Sequence, residues 1–279
     1  MTSEMSPTFP RPLPAPRPKP RHSSWLLVFG MLLPSVALLL TFSYAPALIG
    51  LYRAFTHWET GEAPRWCGIA NFIAMGRDEF LTISITNQIL LLLASLAKTL
   101  IAPFIVAELL MGLRSSRLQY VLRTAFILPM VVPGMVTMLL WAFIYDGSVG
   151  LLNMTLEAMG FGGLTRAWLG EPGTALLAII GVGFPWAGGL ALLIYLAGLN
   201  GISADVWDAT ALDGATGLRR IFAVDLPLLR PQVRLLATLT IIGSLQDFGS
   251  ILILTGGGPG LSTHVPALHM YYEAFRFGH

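Results

Sequence analysis

Apolar runs long enough to cross a lipid bilayer restrict the fold of this sequence more than any other feature. A membrane helix needs about 20 mostly apolar residues. Runs such as ILLLLASLA and ALLAIIGVGF do not alternate between apolar and polar residues, as the strands of a membrane barrel would. The sequence therefore predicts an all-α polytopic membrane protein. Five stretches qualify as spans: Trp25–Tyr52, Asn87–Leu113, Thr124–Tyr145, Ala175–Leu199 and Leu235–Thr255.

The charge content supports a membrane location. Charged residues make up 11% of the 279 residues and hydrophobic residues 54%, whereas about a quarter of an ordinary soluble domain is charged. The net charge is +2, so the chain lacks the basic surface that a nucleic-acid partner requires. Membrane lipid is therefore an expected partner and nucleic acid is not.

A proline-rich segment, PRPLPAPRPKPR at Pro10–Arg21, precedes the first span. Such a composition cannot form a core, so residues 1–24 are predicted to be a disordered, basic tail. The basic start and the Ala45-Pro46-Ala47 sequence also resemble a signal peptide with its cleavage site. However, the apolar run has 28 residues, against about 7–15 in a signal peptide. We therefore expect a retained first span.

The distribution of positive charge predicts the orientation, because Lys and Arg concentrate in cytoplasmic loops. With a cytoplasmic N-terminus, 11 Lys and Arg residues lie in inner segments and 5 in outer segments. The chain is therefore expected to be a multi-pass protein of the inner membrane with its N-terminus in the cytoplasm. The loop at 200–234 then lies on the cytoplasmic side.

That loop contains a compact, mixed-charge segment, DVWDATALDGATGLRRIFAVDLPLLRP at 205–231. Ser203 and Thr216 are predicted N-caps of two short helices, which Asp213-Gly214 separates. Leu226-Pro227 is predicted to end the second helix. Helices of roughly ten residues are not stable alone in water. The pair must therefore pack either on the membrane helices of its own chain or in a groove of a separate protein.

The segment DATALDGATGLRRIFAVDLPLL resembles the EAA signature of the permease subunits of ABC-type importers. The resemblance implies a coupling helix that sits in a cleft of a cytoplasmic ATPase subunit. Asp208 replaces the usual glutamate and Thr210 replaces the second alanine, which leaves the fine geometry of the ATPase contact open. The matching positions are Asp208, Ala209, Asp213, Gly214, Ala215, Leu226 and Pro227.

Other motifs resemble the carbohydrate-importer subgroup of the same family, whose members transport sugars, polyols or phosphoglycerol esters. They are CGIANF, RTAFILPMVVPGMV, YDGSVGLLN and LTGGGPG. The resemblance implies a type I ABC importer fold, with a first span and outer loop at 25–80. The transmembrane domain is then expected at 81–279, with the coupling loop at 201–232. The family's sixth span does not follow at the C-terminal end, so the expectation is either a truncated sequence or a protein that departs from its family there.

The resemblance also implies the partners: a second permease subunit, two cytoplasmic ABC ATPase subunits and an extracytoplasmic solute-binding protein. The sequence contains no Gly-Lys-Ser or Gly-Lys-Thr of a phosphate-binding loop. ATP and Mg²⁺ are therefore expected on the separate ATPase, and no cofactor is expected in this chain. No spacing of a metal site or nucleophile elbow is present, which predicts a transport subunit rather than an enzyme. The alternative is a secondary transporter or channel that needs no ATPase.

Charged residues within the spans are candidates for the translocation path. Asp247 lies deep in the fifth span beside Gln246, and a carboxylate there costs about 2.5–3.5 kcal/mol on insertion scales. It is expected either to bond a neighbouring helix or to form a polar wall of the path with aromatic residues such as Trp141 and Phe184. Lys98 and Glu108 are too far apart on one helix to pair. We expect Glu108 to reach water, and Lys98 to reach the interface or an acid on another helix.

Overall fold

The computed structural model describes residues 23–58 and 63–277. The proline-rich part of the predicted tail therefore lies outside the described residues. The described chain falls into two units, one of residues 23–58 with 63–71 and one of residues 72–277.

A nearly continuous apolar helix forms most of the first unit. It consists of α1 (Ser23–Leu39), a π-helical turn (Leu40–Tyr44) and α2 (Ala45–Arg53). Leu27–Arg53 is long and apolar enough to cross a membrane, and its most apolar stretch has no buried residue. Pro46 lies at the start of α2, directly after the π-helical turn. Proline has no N–H to donate to the preceding turn, and the wider π-helical turn accommodates this missing hydrogen bond. The prolines therefore do not end the helix.

The rest of the first unit is a small hairpin in which β1 (Thr56–His57) pairs antiparallel with β2 (Arg65–Trp66). The helix α3 (Ala70–Met75) follows. The Asn71 amide donates to the carbonyl oxygens of Ala54 and Thr56, both at 3.0 Å. Asn71 belongs to the CGIANF motif, so this motif ties the loop to the end of the first span.

The second unit, as described, is built from helices. Short 3₁₀ turns lie at Leu128–Val131 and Gly162–Leu164, and π-helical turns at Ile221–Asp225 and Glu273–Phe277. The α-helices are α4 (Glu79–Met111), α5 (Ser116–Ile127), α6 (Gly134–Ile144), α7 (Leu151–Ala158), α8 (Pro172–Gly181), α9 (Gly189–Asn200), α10 (Ala204–Leu212), α11 (Gly217–Arg220), α12 (Leu226–Leu228), α13 (Arg230–Gln246), α14 (Gly249–Leu254) and α15 (Pro266–Tyr272).

The helix α4 is the centre of the second unit, with α9 and α13 packed against it. Tyr195 of α9 is almost fully buried and donates from its hydroxyl to the carbonyl oxygen of Leu100 at 3.2 Å. At Gly198, α9 approaches the chain so closely that a Cβ would collide with Leu229 and lie 2.9 Å from the Gln232 amide. Small residues permit such close helix contacts in membrane proteins.

The number of continuous spans differs from the sequence prediction. Two described helices are long and apolar enough to cross a membrane, Leu27–Arg53 and Glu79–Met111, and up to four spans result if each bent helix pair counts as one. The predicted third span, Thr124–Tyr145, is bent by 97° between Ser116–Val131 and Gly134–Ile144. Pro129 and Pro133 explain this bend, because proline cannot donate the hydrogen bonds that continue a helix.

The predicted fourth and fifth spans are also interrupted. The fourth, Ala175–Leu199, divides into α8 and α9, which the non-helical glycine-rich segment 182–188 separates. The fifth, Leu235–Thr255, breaks between α13 and α14 at Asp247, whose backbone is extended. Broken helices at membrane depth are tolerated where they line a cavity or are buried in protein.

Candidate functional site

Two adjoining cavities lie among the helices of the second unit. The first, which we call the polar cavity, has a volume of about 470 Å³. Hydroxyl, amide and charged side chains line much of it. These are Gln88, Ser95, Lys98, Thr99, Thr137, Thr240, Ser244, Asp247 and Ser250.

The second, the aromatic cavity, has a volume of about 740 Å³. Lys98, Thr99, Thr137 and Thr240 line both cavities, so the two adjoin. The aromatic residues of the second cavity are Phe126, Trp141, Phe184 and Trp186. Together the cavities offer both hydrogen-bonding groups and flat apolar surfaces, as a small-molecule site requires.

The predicted path residues lie at different places. Asp247 lines the polar cavity, whereas Trp141 and Phe184 line the aromatic cavity. Gln246 lines neither cavity. Sequence reasoning left Lys98 without a role in the path, although it lines both. Its position as a lone cation in an apolar span was the signal that could have identified it.

Lys98 connects α4 to the break between α8 and α9. Its Nζ donates to the carbonyl oxygen of Ile180 at 3.0 Å. The last carbonyls of a helix have no partner within the helix, and Lys98 supplies one at the end of α8. Among the described residues, no carboxylate lies within ion-pair distance of Lys98. The remaining N–H groups of its ammonium are therefore free of carboxylate partners in this part of the chain.

Asp247 stabilises the second helix break locally. Its carboxylate accepts from the backbone N–H of Ser250 at 3.2 Å and from the Ser250 hydroxyl. A side chain that accepts from the first N–H groups of a helix acts as a cap. Asp247 is thus both a wall of the polar cavity and the residue that fixes the start of α14.

Trp186 occupies a strained position in the first helix break. Its φ is +59°, a left-handed conformation that is uncommon for a bulky residue. Its ring packs edge to face on Phe184 with centroids 5.2 Å apart, and its indole N–H is buried and has no hydrogen-bond partner among the described residues. Strain and an unsatisfied donor are concentrated at functional sites more often than elsewhere.

The LTGGGPG motif (Leu254–Gly260) forms a loop in which Gly256, Gly257 and Gly260 have positive φ. At Gly257, with φ +91°, a Cβ would lie 2.7 Å from Nδ1 of His264. Any other residue there would combine strain with a collision, so the motif requires glycine at this position.

The segment directly after this glycine loop is bonded to α4 by Asn87, a residue that sequence reasoning missed. The Asn87 amide donates to the carbonyl oxygens of Leu261 and His264 at 2.9 and 3.0 Å. Gln88 beside it donates to the carbonyl oxygen of Ser244 at 3.0 Å. Two adjacent amides at the start of an apolar span were the available signal.

His264 lies in a small cluster beyond the glycine loop. Its ring contacts His269 edge to face at 5.6 Å and stacks on Tyr272 at 6.1 Å. Nε2 of His269 is 3.6 Å from Asp78 Oδ2. Burial, with the nearby charge of His269 as a second cause, lowers the pKa of His264 below its ordinary value.

The YDGSVGLLN motif forms a turn that its own side chains stabilise. Oδ1 of Asp146 accepts from the backbone N–H groups of Ser148 at 2.8 Å and Val149 at 2.9 Å. The Val149 bond is the main reason why the pKa of Asp146 lies below its ordinary value. Asn153 donates to the carbonyl oxygens of Gly147 and Arg166, each at 3.0 Å. The Asp and Asn of the motif therefore have a structural role, which is to stabilise this turn.

The coupling segment, residues 204–228, has the predicted break between two helices. α10 ends at Leu212 and Gly214 takes a φ of +64°. Ser203 and Thr216 occupy the predicted N-cap positions with extended backbones, but neither side chain makes a capping hydrogen bond. Leu226-Pro227 does not end the helical path either. The π-helical turn Ile221–Asp225 directly precedes it and accommodates Pro227, as the equivalent turn does before Pro46.

The family-motif positions of the coupling segment differ in exposure. Asp208, Ala209, Asp213 and Gly214 are exposed, whereas Ala215, Leu226 and Pro227 are half-buried. Thr210, which stands where the family has alanine, is buried and donates to the carbonyl oxygen of Val206 at 2.6 Å. The extra hydroxyl is therefore satisfied within its own helix.

The coupling segment contacts α4 through charged residues. Nη2 of Arg220 is 2.9 Å from Oε2 of Glu108, and Nε of Arg220 is 2.9 Å from Oδ2 of Asp225. Glu108 is only 8% exposed, so the expectation that it reaches water is wrong. The reason is that Arg220 compensates its charge inside the protein. Asp225 and Arg220 were not predicted as an interacting pair.

These contacts make α4 the common support of the site. Asn87 holds the glycine loop near one end, Lys98 lines both cavities, and Glu108 holds the coupling segment near the other end. Asn87 and Glu108 are separated by about 30 Å along the helix axis, at ~1.5 Å per residue. The helix α4 thus connects the cavities to the coupling segment.

Comparison with known proteins agrees with this geometry. Residues 100–273 match the family of binding-protein-dependent transport system inner membrane components. The chain belongs to this family.

Individual proteins are similar over most of the chain. A probable ABC transporter permease, YurN of Bacillus subtilis, is 30% identical over 90% of this chain and 86% of its own length. MalF, a trehalose/maltose transport system permease of Thermococcus litoralis, is 31% identical over 84% of this chain and 78% of its own. The crystal structure of a bacterial ABC transporter that imports the acidic polysaccharide alginate matches with a TM-score of 0.78. It is 25% identical and covers 91% of this chain and 86% of that one.

Proposed function

We propose that this chain is the permease subunit of an ATP-driven importer and forms half of the path for a sugar or sugar-like solute. The solute class includes polyols and glycerol-phosphate compounds. The observation that carries the proposal is the coupling segment, which is tied to the cavity-lining helix α4 and presents an apolar surface that the described residues leave exposed. ATP and Mg²⁺ would bind to a separate ATPase subunit, and this chain would perform no hydrolysis itself.

The exposed apolar surface of the coupling segment is suited to a protein cleft. Leu212 is 89% exposed, Leu218 72% and Phe222 66%. Beside them, Asp208 and Asp213 make no ion pair with other described residues. Short helices with exposed apolar anchors dock into grooves, and the two carboxylates favour a groove with basic residues at its edge. We assign that groove to the ATPase.

The cavities support a sugar-like solute. Sugars present hydroxyl groups that need hydrogen-bond partners and ring faces that pack on aromatic side chains. The polar cavity supplies Thr99, Thr240 and Asp247, and the aromatic cavity supplies Trp141 and Phe184. The similar proteins that are named for trehalose/maltose and alginate transport favour the same class.

A complete transporter requires further subunits. We infer a second permease subunit to enclose the other half of the path, a pair of ATPase subunits and an extracytoplasmic solute-binding protein. The family's description as binding-protein-dependent supports the last of these. The excess of positive charge in the inner segments supports a cytoplasmic N-terminus and a coupling segment that faces the ATPase.

Transport would proceed by alternating access. ATP binding would move the ATPase subunits together, and the coupling segments of the two permeases would follow. A ligand shifts a conformational equilibrium only through its different affinity for the two states. The energy of ATP binding must therefore reach the helices around the cavities through the coupling segment.

Uptake by reconstituted complexes tests the proposal. Proteoliposomes with the permease pair, the ATPase and the binding protein should accumulate a candidate sugar only when ATP is present on the ATPase side. Proteoliposomes without the ATPase are the control. Accumulation in that control would favour the alternative, a secondary transporter that needs no ATPase.

A further inference from the structure

Arg220 is the point at which three parts of the second unit meet. Its Nη2 donates to Glu108 of α4 and its Nε donates to Asp225 of the π-helical turn, both at 2.9 Å. Its guanidinium carbon also lies 5.1 Å from the ring centroid of Trp207 in α10, within the range of a cation–π contact. One guanidinium thus contacts α10, α4 and the segment that leads into α13.

The burial of this cluster distinguishes it from an ordinary surface ion pair. The side chains of Glu108 and Asp225 are 7% and 0% exposed, and that of Arg220 is 33% exposed. Among the described residues, no donor group bonds the buried atoms Oε1 of Glu108 and Oδ1 of Asp225, and the two carboxyl groups lie beside each other. Two buried carboxylates therefore depend on one guanidinium. Such a group adds little net stability compared with apolar packing, but it fixes geometry strongly.

Side-chain packing at the glycines between α10 and α11 does not provide an equivalent connection, although the backbone N–H groups of Gly214 and Ala215 bond the carbonyl oxygens of Ala211 and Thr210 at the end of α10. Gly214 has a φ of +64°, and nothing lies within 4 Å of the position of its absent Cβ. Gly217 has a φ of +56° and the same open surroundings. A turn with two such glycines is not held by side-chain packing at these positions. The contact of Arg220 with Trp207 therefore joins α11 to α10 across this turn.

The partner of Arg220 on α4 leads directly to the cavities. Glu108 and Lys98 lie on the same helix, about 15 Å apart along its axis at ~1.5 Å per residue. Lys98 and Thr99 line both cavities. The helix α4 runs without a break from Lys98 to Glu108, although it contains Pro103 between them, so a displacement of Glu108 has a helical route to these cavity residues.

We propose that Arg220 is a positioning residue that transmits movement of α10 to α4, through Trp207 on one side and Glu108 on the other. This inference rests on the proposed function, since it presumes an ATPase that moves α10. The cluster, rather than the glycine turn, carries the movement to the cavity. Asp225 holds the guanidinium in the orientation that both contacts require.

The main experiment compares coupling in reconstituted complexes with Arg220→Lys, Arg220→Gln and the control Arg219→Gln. Lysine keeps the charge but lacks the planar guanidinium that donates to Glu108 and Asp225 at the same time. Arg219 is the adjacent exposed guanidinium, and no described ion pair or ring contact involves it. We expect the ratio of sugar accumulated to ATP hydrolysed to fall roughly tenfold in both Arg220 variants, within the range of allosteric coupling. It should stay at the wild-type value in Arg219→Gln.

A triple variant separates coupling from folding. Glu108→Gln, Arg220→Gln and Asp225→Asn together remove all three charges, so no buried carboxylate is left unpaired. This protein should assemble like the wild type and still show the reduced ratio. A wild-type ratio in the triple variant would overturn the proposal and assign the cluster to folding alone.

A distance measurement tests the same point without solute. Spin labels at Ala204 of α10 and Leu109 of α4, both exposed, report whether the two helices move together. In the wild-type complex the distance should be unchanged between the nucleotide-free and ATP-bound states, whereas in Arg220→Gln it should change. A wild-type distance that changes as much as in the variant would contradict the proposal. If the wild-type complex shows no ATP-dependent uptake at all, the proposed function fails instead.

Discussion

Nζ of Lys98 donates to the carbonyl oxygen of Ile180 at 3.0 Å and thereby joins α4 to the broken end of α8. Replacing Lys98 with Met keeps the length of the side chain and removes this bond. We expect a loss of about 1–3 kcal/mol in stability, the usual cost of an unsatisfied buried group, together with reduced uptake. Thermal unfolding in detergent and uptake assays measure the two effects.

Two variants control for this substitution. Lys98→Arg retains a donor for the carbonyl oxygen and should lose less stability than Lys98→Met. Leu93→Met, at an exposed position of the same helix, should behave as the wild type. Equal stability of the Lys98→Met and wild-type proteins would show that the bond does not fix the helix break.

Gly214 tests the turn of the coupling segment. Its φ of +64° strains a β-branched residue, although the site has space for a side chain. Gly214→Val should therefore misplace α10 and lower the uptake obtained per ATP hydrolysed. Gly214→Asn is the matched control, because asparagine tolerates the left-handed conformation. Normal coupling in the valine variant would exclude a conformational requirement at this turn.

The amide of Asn87 tests the attachment of the glycine loop to α4. Asn87→Leu removes two hydrogen bonds and leaves the carbonyl groups of Leu261 and His264 without this donor. The expected destabilisation is about 2–4 kcal/mol, from two groups at roughly 1–2 kcal/mol each. Thr86→Val is the control, since Thr86 is exposed and bonds only the previous turn. An unfolding temperature equal to that of the control would refute the attachment.

The lowered pKa of His264 leads us to expect that the stability of the protein depends on pH. Its pKa in the folded protein lies below the unfolded value because burial disfavours the charged ring. The contribution of the neutral His264 to the stability of the fold is thus fully present above the pKa of the unfolded chain, about 6.5. It decreases as the pH falls below that value, since the unfolded chain then binds the proton more tightly. His264→Gln should flatten the dependence of the unfolding temperature between pH 8 and pH 5, and an unchanged slope would assign the dependence to other groups.

The sequence predicted the class of fold and the place of the coupling segment because both depend on local patterns. Long apolar runs specify membrane helices irrespective of their partners. Asp213-Gly214 specifies a break through the conformational preference of glycine alone. The segment 182–188, which interrupts the predicted fourth span, contains Pro185 and two glycines, Gly183 and Gly188, and such residues permit a helix break.

The contacts between distant residues were not predictable in the same way. Glu108 and Arg220 are 112 positions apart in the sequence, and Lys98 and Ile180 are 82 positions apart. No periodicity relates such pairs, so Glu108 was expected to contact water. The helical path through Pro227 was missed for a different reason, because a π-helical turn accommodates the proline without ending the helix.

Site-specific cross-linking of the coupling segment to the ATPase measures the central claim most directly. A cysteine at Leu212, which is 89% exposed, is compared with one at the buried Thr210 in the same helix. In assembled complexes we predict that Leu212→Cys forms a cross-link to the ATPase subunit whose yield changes when ATP binds, while Thr210→Cys forms little. Labelling of Leu212→Cys by an impermeant reagent from outside the cell, with no cross-link to the ATPase, would contradict the claim.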